Sequence, residues 1–395
     1  MSLPLEGIRV IELAQIIAGP YCAHQLGLFG AEVIKVEPPG TGEFLRQRPP
    51  APAGVNSSWM MFNPGKKSIT LNLKHPRGVE LLMRLLEDAD VLVENYAPGA
   101  LENLGLGYEH LATRFPRLVY ASSKGYAPDS RWGSLGAMDF TVQAAAGIVS
   151  MTGYADRPGV RATAAMVDTS TGMHLAAGVL AALFERERTG RGRKVEVAML
   201  DICMPAVSGA IVASLEGRKA SPRLANRHPS ACPCNTYPAA DGEILIYCLT
   251  EAHWRQFARL IGRPDLADDP RYRDHQKRYS IIDEVDQLVA QWTKGRGRDE
   301  MVEILIANDI PCAPVRTIDE VANDPDLERR KLIRTANYPD RGEVKVLGSA
   351  IKLSGTTGDE TSARPPALGE HTAEVLGRIG ISSRELEELR KQGAV

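Results

Sequence analysis

The feature that most constrains this chain is a regular alternation of short Val- and Ile-rich runs with stretches of helical spacing. Residues 8–13, 32–37, 91–94 and 118–122 are such runs, and helical patterns fill 18–29, 78–88 and 101–115 between them. Strands that are apolar throughout, rather than on alternate residues, are covered on both faces. Such strands separated by helices predict an α/β fold, a doubly wound parallel sheet. The longest helical pattern covers 169–188. Met173, Ala176, Ala177, Leu180, Leu183 and Phe184 recur at helical spacing there and predict its buried stripe. Arg186 and Arg188 suit the negative end of its dipole, and Gly190 supplies a stop. Asp168 stands where the N-cap belongs.

Beyond residue 200 the pattern changes. Residues 218–234 are polar, with three prolines and three arginines, and read as a linker. A smaller unit follows, with a strand at 243–249 and helices at 252–261, 281–292 and 298–308. The expected organisation is a large α/β domain over 1–217, a linker at 218–234 and a small domain over 235–316. A second linker at 317–344 leads to a return to the large domain over 345–395.

Several function classes are disfavoured. With 47 Lys and Arg against 49 Asp and Glu, the formal charge is −2. That balance gives no electrostatic reason to expect nucleic acid or an anionic membrane as partner. No stretch approaches 18 uncharged apolar residues, so no membrane span is expected. Residues 1–7 resemble neither a signal peptide nor a transit sequence, and a cytoplasmic location is the expectation. The six cysteines are scattered; Cys232-Pro233-Cys234 lacks the two-residue gap of zinc and redox motifs, so no metal is implied. The turn after the first strand, residues 14–20, holds one glycine, which argues against a dinucleotide site. Gly65-Lys66-Lys67-Ser68 resembles a P-loop ending, but Met60 stands where the first glycine is required. No G-x-S-x-G occurs. The basic run at 189–194 reads as a helix stop followed by a solvated turn.

A series of segments in order carries a family resemblance. They are residues 5–10, 18–20, 28–37, 63–74, 95–99, 116–122, Val167-Asp168 with its long helix, 189–192, 237–242, 311–315 and 368–372. With these the chain resembles the family III CoA-transferases. The resemblance implies a large doubly wound domain formed by both chain ends, with a smaller α+β domain inserted, and two chains interlocked as an obligate homodimer. It implies acyl-CoA and a free carboxylic acid as substrates, with the coenzyme A thioester as substrate and no permanently bound cofactor. It makes Asp168 the nucleophile and Asp139, ahead of a helical pattern at 140–148, an assisting acid. The CoA contacts it implies are Ile17 and Ala18, then Leu71, Asn72, Leu73 and Lys74, then Asn95, Tyr96 and Ala97. Lys74 is the choice for a CoA phosphate, with Lys66, Lys67, Arg46 and Arg48 adding to a basic field.

The chemistry has its own logic. A transfer that conserves thioester reactivity cannot use water as nucleophile. A carboxylate, with an ordinary pKa of about 3.9, is ionised at neutral pH and needs no general base. Free backbone N–H groups at the helix head would favour its charge and could hold an oxyanion. There are departures from the family pattern. Many relatives carry Arg or Lys in place of Pro38, Ala97 and Asn103. The glycine-rich loop that formyl-CoA transferases place before the smaller domain's Trp helix is missing, and Ile17 replaces a glutamine. The last two count against formyl-CoA and oxalate as the natural pair. Arginines and polar residues at 223–235 could meet a second carboxylate, which favours a small dicarboxylate such as succinate. Two alternatives stand beside this reading. One is an α-methylacyl-CoA racemase-type isomerase, whose Gly-His-Asp is here Ala137-Met138-Asp139; Met138 cannot move a proton. The other is a non-catalytic CoA-binding protein.

Overall fold

The structure is a computed structural model that describes residues 3–48, 56–218, 221–338, 342–354 and 363–395. Parts of both expected linkers, 219–220 and 339–341, and residues 355–362 of the expected return lie outside the described residues. The chain divides into two units, Met1–Gly147, Ala162–Ser208 and Pro325–Val395 in the first, and Ile148–Arg161 and Gly209–Asp324 in the second.

The first unit is built on a six-stranded sheet. Its strands are β1 (Arg9–Glu12), β2 (Glu32–Glu37), β3 (Lys67–Thr70), β4 (Val91–Glu94), β5 (Val119–Lys124) and β6 (Lys194–Ala198), in the order β3-β2-β1-β4-β5-β6. Every pairing is parallel, as expected from Val- and Ile-rich runs alternating with helices; β3 and β6 were not among the expected strands. The chain starts in the middle, winds outward to β3, then returns to place β4 beside β1. That reversal makes a switch point at the carboxyl ends of β1 and β4.

Both sheet faces are covered. Leu81, Leu82, Leu85 and Leu86 of helix Pro76–Leu86 pack on one face with Val375, Leu376, Leu386 and Leu389 from the C-terminal helices. The other face takes α1 (Ala18–Leu28) and a helix of 24 residues, Met166–Thr189. Between these two labelled partners in sequence lies α2 (Asp139–Ala145), so the long helix is α3. Gly172 sets the contact between α3 and α1: a Cβ there would lie 2.6 Å from the Ala18 carbonyl oxygen and 3.1 Å from the Cys22 nitrogen. The heads of both helices therefore meet at the switch point.

Three expectations are corrected here. Helix α3 begins at Met166 with Ala165 as N-cap, so Asp168 is the third helical residue and not the cap. Its buried stripe is Leu175, Ala176, Val179, Ala182 and Leu183, whereas Phe184 is 71% exposed. A helix with apolar residues on several faces satisfies more than one stripe, and the sheet it meets selects among them. The single helix expected at 101–115 is a 3₁₀ turn, Glu102–Leu104, and a helix, Tyr108–Arg114. They are parted at Gly105, whose φ of 72° ends the turn.

Among the described residues α3 is the one helix long and apolar enough to cross a membrane, yet it packs into the core of the first unit and buries Arg186 against Asp90 at 2.8 Å. A helix that was not expected, α4 (Met199–Leu215), follows β6; Asp201 is its sole charged residue.

The second unit has an antiparallel sheet of β7 (Cys234–Ala239), β8 (Gly242–Tyr247) and β9 (Cys312–Val315). Helices Glu251–Leu260, Ile282–Thr293 and Arg298–Ile306 cover it around Tyr237, Ile244, Ile246, Trp254 and Phe257. Strand β9 was not expected, because Pro314 reads as a turn residue; it lies on an edge strand, where its missing N–H is tolerated.

Candidate active site

Open parallel sheets bind ligands in the crevice at the carboxyl ends of their strands, at the point where strand order reverses. A cavity of about 210 Å³ occupies that place. Ile16, Ile17 and Ala18 line it after β1, and Asn95, Tyr96 and Ala97 after β4. Lys124 and Gly125 at the end of β5, the segment from Leu135 to Met138, Met199 and Asp168 complete the wall.

Asp168 reaches this wall from the first turn of α3, half-buried. The head of that helix has no cap of its own, since Ala165 carries no side-chain acceptor. Asp139, the first residue of α2, supplies one from a distance. Its Oδ2 accepts the N–H groups of Val167 at 2.8 Å and of Asp168 at 3.0 Å, and its Oδ1 accepts from Gln143 Nε2 at 2.6 Å. The N–H of Met166 is bonded to the Ala164 carbonyl. The backbone donors expected to await an oxyanion at Asp168 are therefore already engaged. No side chain caps the head of α1, whose first residues face the same cavity.

The electrostatics also depart from expectation. Burial, and secondly the charge of Asp139, push the Asp168 carboxyl from its ordinary value up to about 7. An unperturbed carboxylate is thus not what stands in the cavity; near pH 7 a substantial fraction of Asp168 holds a proton.

The structure divides the residues expected to meet CoA. Ile17, Ala18, Asn95, Tyr96 and Ala97 share the cavity wall with Asp168. The Asn95 side chain is engaged with the Gln15 backbone, accepting its N–H and donating to its carbonyl, both at 2.7 Å. Leu71 is buried in the core, and Leu73 packs against it. The Asn72 N–H donates to the Ala394 carbonyl and its Nδ2 to the Gly393 carbonyl, both at 2.9 Å. Lys74 is exposed. These four follow β3, two strands from β1 and so roughly 10 Å along the same carboxyl edge.

The expected basic field is largely committed elsewhere. Lys66 is 3% exposed, pairs with Glu12 at 2.7 Å and is pushed down to about 8, by burial first. Lys67 pairs with Glu32 and Glu374, and Arg46 with Glu37 at 2.7 Å. Arg48 lies over the Phe44 ring. In the second unit Arg223 donates to the Tyr154 carbonyl at 3.0 Å, Arg227 pairs with Asp283 and Asp286, and Asn235 donates to Asp286. Those groups, expected to meet a dicarboxylate, are occupied within their own unit.

Sequence reasoning missed Lys124, the one cation on the cavity wall among the described residues. Its ammonium donates to both Glu94 oxygens, at 2.9 and 2.8 Å, and to the Tyr96 carbonyl at 2.8 Å. A signal existed: Glu94 and Lys124 are the charged last residues of neighbouring strands, Glu94 standing opposite Ser122, two residues before Lys124.

Known proteins resemble this chain over its whole length. The model of CoA-transferase family III matches residues 5–372. A curated formyl-CoA:oxalate CoA-transferase from Streptomyces avermitilis is 35% identical over 413 aligned residues, covering all of both chains. One of the same name from Escherichia coli O157:H7 is 33% identical, again covering both chains in full. Among solved structures, a CaiB/BaiF family protein from Brucella suis superimposes with a TM-score of 0.84 at 30% identity, covering 96% of this chain and all of that one. Rv3272 from Mycobacterium tuberculosis gives 0.81 at 31% identity, covering 94% and 99%. An α/β chain whose cavity sits at the switch point of a parallel sheet, matched end to end by these proteins, belongs to CoA-transferase family III and is a CoA-transferase.

Proposed function

We propose that Asp168 is the covalent nucleophile of this transferase. The observation that carries the reading is that, among the described residues, Asp168 is the sole acidic side chain on the wall of the switch-point cavity. Its carboxylate oxygen attacks the carbonyl carbon of the donor thioester. The tetrahedral oxyanion collapses, the carbon–sulfur bond breaks, and CoA thiolate leaves a mixed anhydride of donor acid and Asp168. The thiolate attacks the aspartyl carbonyl of that anhydride, the donor carboxylate departs, and an aspartyl-CoA thioester remains. An acceptor carboxylate then attacks this thioester, expelling thiolate and forming a second anhydride. Thiolate attack on the acceptor's acyl carbon gives the new acyl-CoA and regenerates Asp168. Every step exchanges one activated acyl group for another, so no resident cofactor is required.

The raised pKa supports this role. A carboxylate held in a partly desolvated site gives up little hydration when it attacks, and its ionised form is less stabilised there than in water. Asp139 is a positioning residue in this scheme, because its two hydrogen bonds hold the head of α3. CoA would run from the cavity along the carboxyl edge of β1, β2 and β3, past Ile17 and Ala18, toward Lys74. Formyl-CoA with oxalate, the pair in the curated relatives' name, is the first to assay, beside succinyl-CoA as the small dicarboxylate donor. Met138, on the same wall, cannot move a proton, which weighs against a racemase.

Two further parts of the reading rest on surface and thiols. Helix α4 exposes Ile211, Val212 and Leu215, the last at 81%. An apolar helix of this kind is normally covered, and a second copy of the chain is the occupant we infer. Light scattering on the purified protein should give the mass of a dimer; a monomer at micromolar concentration refutes it. All six cysteines are unpaired, which suits a reducing, cytoplasmic setting.

Hydroxylamine added during turnover should convert the Asp168 carboxyl to a hydroxamate, located by peptide mass spectrometry. Asp168→Ala should abolish transfer while remaining folded. Retained transfer in that variant refutes the nucleophile.

A further inference from the structure

The cavity wall contributed by residues 14–18 is held in a conformation its own sequence does not favour. Ile16 sits at φ 67°, a left-handed backbone that β-branched residues rarely adopt. Three side chains from outside the turn hold it there. Asn95 closes a two-bond ring on Gln15, with both distances 2.7 Å. The Lys35 ammonium, fully buried, donates to the Ala14 carbonyl at 2.8 Å and to Glu12 at 2.7 Å. Glu43 Oε2 accepts the Ile16 N–H itself at 3.0 Å.

Glu43 is an unexpected residue to find here. It is 2% exposed, and burial raises its carboxyl pKa, an effect offset in part by Lys35 and by the Ile16 and Leu45 amides. No Arg or Lys side chain forms a salt bridge with it within 4.0 Å among the described residues. Holding one backbone amide can be done by an uncharged acceptor, and a position that needed only core packing would take an apolar side chain. What the site requires is an acceptor oxygen at this reach, beneath the residue whose backbone is strained.

We propose that Glu43 is a positioning residue for the transferase reaction, acting through the Ile16 amide to keep Ile17 and Ala18 facing Asp168 across the cavity. This rests on the reading of Asp168 as nucleophile. Nothing in the role calls for charge; it calls for length and an acceptor. Glu43→Gln keeps an oxygen at the same reach. Glu43→Asp keeps the charge and withdraws the oxygen by one methylene, and Glu43→Ala removes both.

The test measures transfer by the full-length protein with formyl-CoA and succinyl-CoA as donors and oxalate and acetate as acceptors, every variant being assayed on the pair fastest with the parent. Glu43→Gln should stay within about threefold of the parent in kcat/KM. Glu43→Asp should fall by about 30-fold or more, mostly in kcat, as expected when a small displacement spoils the attack geometry. A slackened wall also admits water to Asp168, so the acid limb of its pH–kcat/KM profile should move down by about one pH unit in Glu43→Asp. A role in stability alone would lower the melting temperature and leave that limb where it was. Should Glu43→Ala fail to fold, the Gln and Asp variants decide between them. Equal activity and an unmoved acid limb in folded Glu43→Gln and Glu43→Asp overturn the proposal, as does a Gln variant as impaired as the Asp one. Asp168→Ala run alongside separates the two questions: if it retains transfer the nucleophile assignment falls, whatever the Glu43 series shows.

Discussion

Replacing Asp139 by Asn isolates the influence of one buried charge on the nucleophile. Asp168 lies near 7 where its ordinary value is 3.8, an elevation of roughly three units. Burial is the larger cause and the Asp139 charge the smaller, so less than half of it, about one unit or ~1.4 kcal/mol, belongs to Asp139. Asp139→Asn should therefore bring Asp168 down to about 6. The acid limb of kcat/KM reports the free enzyme, so it should shift by that amount toward low pH. At pH 6 the ionised fraction would rise from roughly one-tenth to one-half, and the rate about fivefold, with little change above pH 8. There is a structural cost. An Asn Oδ1 turned toward the Val167 and Asp168 amides sets its Nδ2 against Gln143 Nε2, two donors facing each other. Losing that hydrogen bond should cost about 1–2 kcal/mol, visible as a lower melting temperature. The assay is kcat/KM from pH 5 to 9 on folded protein. An acid limb that stays near 7, or rises, refutes the argument that Asp139 acts on Asp168 through its charge.

Other expectations follow from the same geometry. Asp168 has a folded-state pKa above its ordinary value, so its contribution to stability is complete below pH 4 and is lost as pH rises through 7. Asp168→Asn should thus melt higher than the parent at pH 8 and not at pH 4; the full shift corresponds to about 4 kcal/mol, and partial exposure reduces the expected gain to roughly half that. Gly172→Ala drives a methyl group against the Ala18 carbonyl, 2.6 Å away, and should destabilise by about 1–3 kcal/mol in denaturant titrations while reducing transfer. Lys124→Met leaves Glu94 buried without its cation and should lower stability by about 3 kcal/mol in denaturant titrations.

Much of the fold was legible because its signals are local. Residues 32–37 and 91–94 are Val-rich runs of strand length, and the strands form at those residues. Gly190 ends α3 with φ 68°, a stop that a glycine at that spacing announces. Lys74 and Leu71 show what the sequence leaves unmarked. Both stand in one matched segment, but a strand end turns one outward and the other into the core, and the motif carries no mark of that difference. Lys66 reads as a surface cation in any one-dimensional scan; it is buried because Glu12, 54 residues earlier, ends a central strand beneath it.

By itself the sequence determined the alternation of strands and helices and with it the parallel α/β class, since short-range spacing and backbone hydrogen bonding act between residues close in the chain. Only the tertiary structure decided that Asp139 caps a helix 29 residues away, that burial and Asp139 push the Asp168 carboxyl up to about 7, and that Glu43 holds Ile16 in a left-handed turn. Each of those depends on which groups burial brings together and deprives of water. Contacts of that kind are made when the layers close on one another, and no window along the chain contains both partners.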